Sequence, residues 1–106
     1  MRKIEDNIQR EIILAFRLFH PKSIIFAVPN GGSRNAIEGA NLKRSGVLAG
    51  VSDLIVIHNR KCYFIEVKQS KGKQTDYQKE FEEKVKAQGF EYHVVFSASE
   101  FLKIIK

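Results

Sequence analysis

Apolar residues recur along the chain in two patterns, at helical spacing and in short unbroken runs. From residue 3 to residue 19 they return at spacings of three and four, at Ile4, Ile8, Ile12, Ala15, Phe16 and Phe19. That spacing predicts an amphipathic helix, and Pro21 ends it. Ile24 to Val28 is an unbroken apolar run between Lys22-Ser23 and Pro29, which predicts a strand buried on both faces. Ala36 to Arg44 reads as a short helix, with Gly46 where a C-terminal glycine cap belongs. Leu54–Ile57 and Cys62–Val67 are two further strands on either side of Asn59-Arg60. Thr75-Asp76-Tyr77-Gln78 has the form of a capping box, Thr at the N-cap and Gln at the third helical position. Tyr77, Phe81, Lys84, Val85 and Gln88 follow at helical spacing, and Gly89 closes that helix. Tyr92–Phe96 is the last strand. It follows a helix, so a right-handed crossover sets it parallel to Cys62–Val67. Ser97 or Ser99 caps a final helix that buries Phe101, Leu102, Ile104 and Ile105. The expected order is α-β-α-β-β-α-β-α, an α/β fold in one domain over residues 1–106, with no internal repeat, linker or low-complexity segment.

The two strands around Asn59-Arg60 carry the chemistry. A two-residue loop there pairs His58 with Lys61, and the register carried outward sets Asp53 opposite Glu66. Directly opposed residues have Cβ atoms about 4.5–5.5 Å apart. Side chains alternate faces, so Lys68 projects on the face of Glu66. Like charges opposed on a sheet destabilise it, unless a cation lies between them. A hard divalent cation takes such oxygen ligands, and the neighbouring lysine is placed to assist a water or to offset developing negative charge. The plainer reading of Glu66-Val67-Lys68 alone is an exposed ion pair. Gly50-Val51-Ser52-Asp53-Leu54 and the register turn the balance toward a metal-dependent nuclease site.

Charge changes the picture only slightly. The chain of 106 residues has a formal net charge of +6 and a pI of about 9.6. That suits a polyanionic partner, most simply nucleic acid. Its single cysteine, Cys62, excludes an intrachain disulfide and a cysteine zinc site, and a reducing cytosol fits. Met-Arg-Lys is followed by Glu-Asp-Asn, with no signal-peptide apolar core, and no apolar run has membrane-spanning length. Pro29-Asn30-Gly31-Gly32-Ser33-Arg34 is a loop whose glycines would let backbone N–H groups approach a phosphate, with Arg34 beside them. An ordinary turn explains it equally well. Lys43 and Arg44 fall in a last helical turn, where positive charge is favoured anyway.

Asp, a dozen residues, then Glu-x-Lys resembles the PD-(D/E)xK nuclease signature. Beyond it, Glu5-x-x-Ile8-Gln9, Pro29-Asn30-Gly31-Gly32 with Arg34, Leu42-Lys43, Gly46, Gly50-Val51-Ser52-Asp53-Leu54, Ile65-Glu66-Val67-Lys68 and Thr75-x-x-Gln78 resemble the VRR-NUC (virus-type replication-repair nuclease) branch of that superfamily. The resemblance runs from the first helix to the last. Ser52 departs from it, since many members carry proline there, and this loosens the turn without moving a ligand. The resemblance implies a restriction-endonuclease-like PD-(D/E)xK core with a central mixed four-stranded sheet flanked by helices. It implies a phosphodiester hydrolase dependent on Mg2+ or Mn2+, of the small stand-alone phage or bacterial type, cytoplasmic and active as a homodimer on branched DNA like a Holliday junction resolvase in repair or recombination. Asp53, Glu66 and the Val67 carbonyl would hold the metal. Glu5 would reach it from the first helix, and is preferred to Glu11 because it precedes Ile8-Gln9. Lys68 would orient the attacking water or stabilise the transition state, and Gln78 would support the site. Asn30, Arg34, Lys43, Lys71 and Lys73 are candidates for phosphate contact. The other readings are a nucleic-acid-binding accessory subunit that does not cut, and a nuclease acting on DNA ends, flaps or RNA. Clustered carboxylates argue against the first, because they gain nothing in binding a polyanion.

Overall fold

The computed structural model describes residues 2–29 and 43–106. Its elements are α1 (Arg2–Phe19), β1 (Ile24–Ala27), β2 (Leu54–His58), β3 (Lys61–Val67), α2 (Asp76–Ala87), β4 (Glu91–Val95) and α3 (Ala98–Ile104). The four strands form one mixed sheet in the order β1-β2-β3-β4. β1 with β2 and β2 with β3 are antiparallel, and β4 runs parallel to β3. The helix expected over Ala36–Arg44 lies mostly outside the described residues, as do Asn30 and Arg34. At its end, Gly46 takes φ 97° and donates its N–H to the Lys43 carbonyl. That is the left-handed cap glycine permits.

One sheet face makes the core. Ile25, Leu54, Val56, Tyr63, Ile65, Val67 and Val95 project there against Ile12 and Phe16 of α1 and against Phe101 and Ile105, at the end of α3. Phe16 and Phe101 meet edge-on at 5.9 Å between ring centroids. Each aliphatic or aromatic side chain so buried contributes about 1.5–3 kcal/mol from area alone. α1 is buried only through its middle turns: Ile4 and Phe19, assigned to its apolar face, are 52% and 62% exposed. An 18-residue helix is about 27 Å long, whereas β1 and β2 have four and five residues. Only the central turns of α1 find full cover.

The other sheet face is shared. α2 covers its β3–β4 side, where Phe81 packs against Phe64 and Tyr92. β1 does not match the expectation of a strand buried on both faces: Ile25 is buried, but Ile24 and Phe26 are 51% and 43% exposed. β1 is an edge strand of the sheet, and its second face lies away from α2. α2 opens with the expected capping box at Thr75 and Gln78. α3 is capped by Ser97, whose hydroxyl accepts the N–H of Glu100 at 3.1 Å.

Candidate active site

The hairpin turn fixes the site from a distance. Asn59 and Arg60 have φ values of 51° and 67°. Two successive left-handed residues make the type I′ turn that matches strand twist. His58 therefore pairs with Lys61, and the ladder runs to Leu54 opposite Ile65. One residue further, Asp53 faces Glu66 in a non-hydrogen-bonded pair, the closer of the two antiparallel arrangements. Asp53 is held from both sides. Its carbonyl accepts the N–H of Val28 at 2.8 Å, extending the β1 ladder. Its carboxylate Oδ2 accepts the N–H of Val67 at 2.8 Å. Ser52 is buried and its hydroxyl donates to the Leu54 carbonyl at 3.3 Å. The serine thus ties the turn rather than loosening it.

Glu66 is 2% exposed. Its Oε2 accepts the Gln78 Nε2–H at 2.8 Å and lies 3.7 Å from Lys68 Nζ. Its Oε1 is buried without a partner. Burial, then the nearby Asp53 carboxylate, push Glu66 up to about 8, and Lys68 offsets only part of this. Lys68 is itself 9% exposed. The turn closed by the Gly72 N–H to the Gln69 carbonyl, at 2.7 Å, lies against its stem, so close that a Cβ on Gly72 would sit 3.3 Å from Lys68 Cβ and Cδ. The same turn reaches α1, because the Gln69 N–H donates to Glu5 Oε2 at 3.3 Å.

Glu5, Asp6 and Gln9 line a cleft of about 150 Å³ with Val28, Pro29 and Asp53. Glu11 is exposed and does not line it. Asp6 was not singled out from the sequence, because helical spacing marks a face and not which neighbour on its border meets a cleft. Among the described residues, no three His, Cys, Asp or Glu side chains converge as a metal cluster. The close pair is Asp53 with Glu66, and Glu5 approaches from the wall of the cleft. Lys71 and Lys73 are exposed on the loop that leaves Lys68. Lys43 lies elsewhere, beside Val47, Leu48, Tyr77 and Phe81 on the flank of α2.

A serine–histidine pair at the turn end of the hairpin does not make a second site. Ser23 Oγ is 2.6 Å from His58 Nδ1, and Asn59 Nδ2 is 3.2 Å from His58 Nε2. An amide nitrogen only donates, so Nε2 accepts and the ring proton sits on Nδ1. His58 then donates to Ser23 and is no base for it. The pair stands about 17 Å along the strand from Asp53.

No protein-family model and no curated protein matches the chain. Solved structures do. A VRR_NUC domain protein superposes with a TM-score of 0.76 at 26% identity, covering 94% of this chain and 83% of its own. A second structure, a VRR_NUC domain, gives a TM-score of 0.68 at 21% identity over 95% and 92%. The mixed four-stranded sheet with its helices is consistent with the fold of these VRR-NUC nuclease domains, and it sets Asp53 and Glu66 together with Lys68 alongside. The structural likeness over most of the chain supports a VRR-NUC domain. Among the described residues no helix is long and apolar enough to cross a membrane.

Proposed function

We propose that the protein is a divalent-metal-dependent DNA endonuclease that cuts branched DNA as a homodimer. The observation that carries this reading is the Asp53–Glu66 pair, with Glu66 Oε1 buried and partnerless and Lys68 alongside. A buried carboxylate and a half-buried one in such proximity disfavour each other's charge unless a proton or cation intervenes. The unsatisfied oxygen and the all-oxygen donor set fit Mg2+ or Mn2+, which are commonly held by one or two carboxylates with waters and substrate phosphate.

Asp53 and Glu66 would hold the cation. The Val67 carbonyl would add a further oxygen ligand, and Glu5, on the wall of the cleft, would be the third acidic group. When bound, the cation polarises the scissile phosphate and lowers the pKa of a coordinated water. Lys68 orients that water or offsets charge on the transition state, its buried ammonium acting where water screens it least. Gln78 supports Glu66 from α2. Lys71 and Lys73 meet the backbone phosphates beside the cut, with Asn30, Arg34 and Lys43 as further contacts. The homodimer rests on the resemblance to small stand-alone members of the family, and it would supply the two-fold pair of sites that two symmetric cuts in a junction need.

The test is cleavage of a labelled four-way junction beside a matched linear duplex, with Mg2+, Mn2+ or EDTA. Symmetric metal-dependent cuts near the branch support the reading. Cutting of linear duplex alone keeps the nuclease and removes the junction. Binding without cutting under every metal condition replaces it with an accessory subunit.

A further inference from the structure

The capping box at the start of α2 does more than begin a helix. Its two members are Thr75, at φ −76° and ψ 168°, and Gln78. The Thr75 hydroxyl accepts the Gln78 N–H at 3.2 Å. In return the Thr75 N–H donates to Gln78 Oε1 at 2.9 Å. The other end of the same amide, Nε2, donates to Glu66 Oε2 at 2.8 Å.

An amide has one accepting end and one donating end. The accepting end of Gln78 is committed to a main-chain N–H, so the donating end faces Glu66. Flipping the amide would set its oxygen against a carboxylate and its NH2 group against an N–H, losing both bonds at once. The position of that N–H is in turn fixed by the helix start. A Cβ on Gly50 would collide with the Tyr77 carbonyl, so the first turn of α2 is wedged against the segment leading into Asp53. Glu66 is thereby presented with Oε2 engaged and Oε1 without a partner.

We infer that Thr75 is a positioning residue of the active site. Its hydroxyl, by accepting the Gln78 N–H, holds the helix start at which its own main-chain N–H locks the Gln78 amide as a donor, so that Glu66 keeps one oxygen bonded and offers the other to the cation. This rests on the metal-dependent nuclease reading and adds to it a residue, remote from the chemistry, that sets the geometry of a ligand. Partners that orient metal ligands typically change metal affinity or activity about 10- to 100-fold when removed.

The experiment measures Mn2+ affinity by calorimetry, and kcat and KM on a DNA substrate, well below the melting temperature. Thr75→Ala is expected to bind Mn2+ about tenfold more weakly and to lose kcat with KM for DNA unchanged. Thr75→Ser restores both. Gln78→Glu separates the two roles of the position. It still accepts the Thr75 N–H and keeps α2 capped, but presents a carboxylate to Glu66, so kcat falls by about tenfold or more with helix content intact. Wild-type protein that binds no Mn2+ overturns the nuclease reading and this inference with it. Wild-type binding with unaltered Mn2+ affinity and kcat in Thr75→Ala, or full kcat in folded Gln78→Glu, overturns the inference alone.

Discussion

The Asp53 carboxylate accepts a 2.8 Å hydrogen bond from the main-chain N–H of Val67. Alternation along the ladder would give that N–H to the Ser52 carbonyl, but the chain turns away and the Asp53 side chain takes its place. One residue thus closes the β2–β3 ladder and supplies a carboxylate to the site.

Substitutions at Asp53 therefore separate structure from chemistry. Asp53→Ala leaves the buried Val67 N–H unpaired, a loss of about 1–3 kcal/mol, and abolishes cleavage. Asp53→Asn retains an acceptor oxygen for Val67, so in EDTA it melts closer to wild type than Asp53→Ala does. It is equally inactive. Thermal denaturation beside a cleavage assay distinguishes the two effects.

The raised Glu66 pKa makes the metal-free protein sensitive to base. The group titrates near 4.5 when unperturbed and at about 8 in the fold, so between those values the folded state binds more protons than the unfolded one. Stability from this group is complete below about 4.5 and lost as pH rises through about 8. In EDTA, Glu66→Gln removes this slope. It is more stable than wild type at pH about 8, and the difference shrinks toward pH about 4.5. Denaturant midpoints across that range check the sign.

Mg2+ reverses the same trend. A ligand that binds only the folded state stabilises it, by about 2.7 kcal/mol at one hundred times its dissociation constant. Binding requires ionised Glu66, so Mg2+ raises the melting temperature more at pH about 8 than at pH about 6, and releases a proton at the lower value. Asp53→Ala shows little of either effect. Melting curves with Mg2+ and with EDTA at the two pH values test it.

Gly50 and Gly46 both have positive φ, 84° and 97°, yet they are not equivalent. A Cβ on Gly46 meets nothing within 4 Å, whereas on Gly50 it meets the backbone of Tyr77 and Gln78. Gly46→Ala loses only the left-handed preference, about 1–2 kcal/mol. Gly50→Ala adds a backbone collision, destabilises further and displaces the first turn of α2. Comparison of the two unfolding free energies checks the difference.

Much of this was legible in the sequence, because a two-residue loop leaves a hairpin only one register. Asn59-Arg60 sets His58 against Lys61, and Asp53 opposite Glu66 follows by counting. The parallel placement of β4 was legible for a similar reason, since a crossover helix admits one hand. The burial of β1 was not, because Ile24 to Val28 reads the same in an edge strand as in a central one. The double role of Gln78 was half legible: its cap is local, but its bond to Glu66 joins residues twelve apart in sequence. The partnerless Oε1 of Glu66 and the cleft beside Glu5 depend on packing that no spacing encodes.

The central claim is that Asp53, Glu66 and Lys68 form a metal-dependent phosphodiesterase site. The most direct measurement is cleavage of end-labelled DNA by wild type, Asp53→Ala and Lys68→Ala, each shown to be folded, in Mg2+ and in EDTA. The account predicts cutting by wild type in Mg2+ only, and none by either variant. A folded Asp53→Ala protein that cuts as well as wild type, or wild-type cutting undiminished in EDTA, would contradict it.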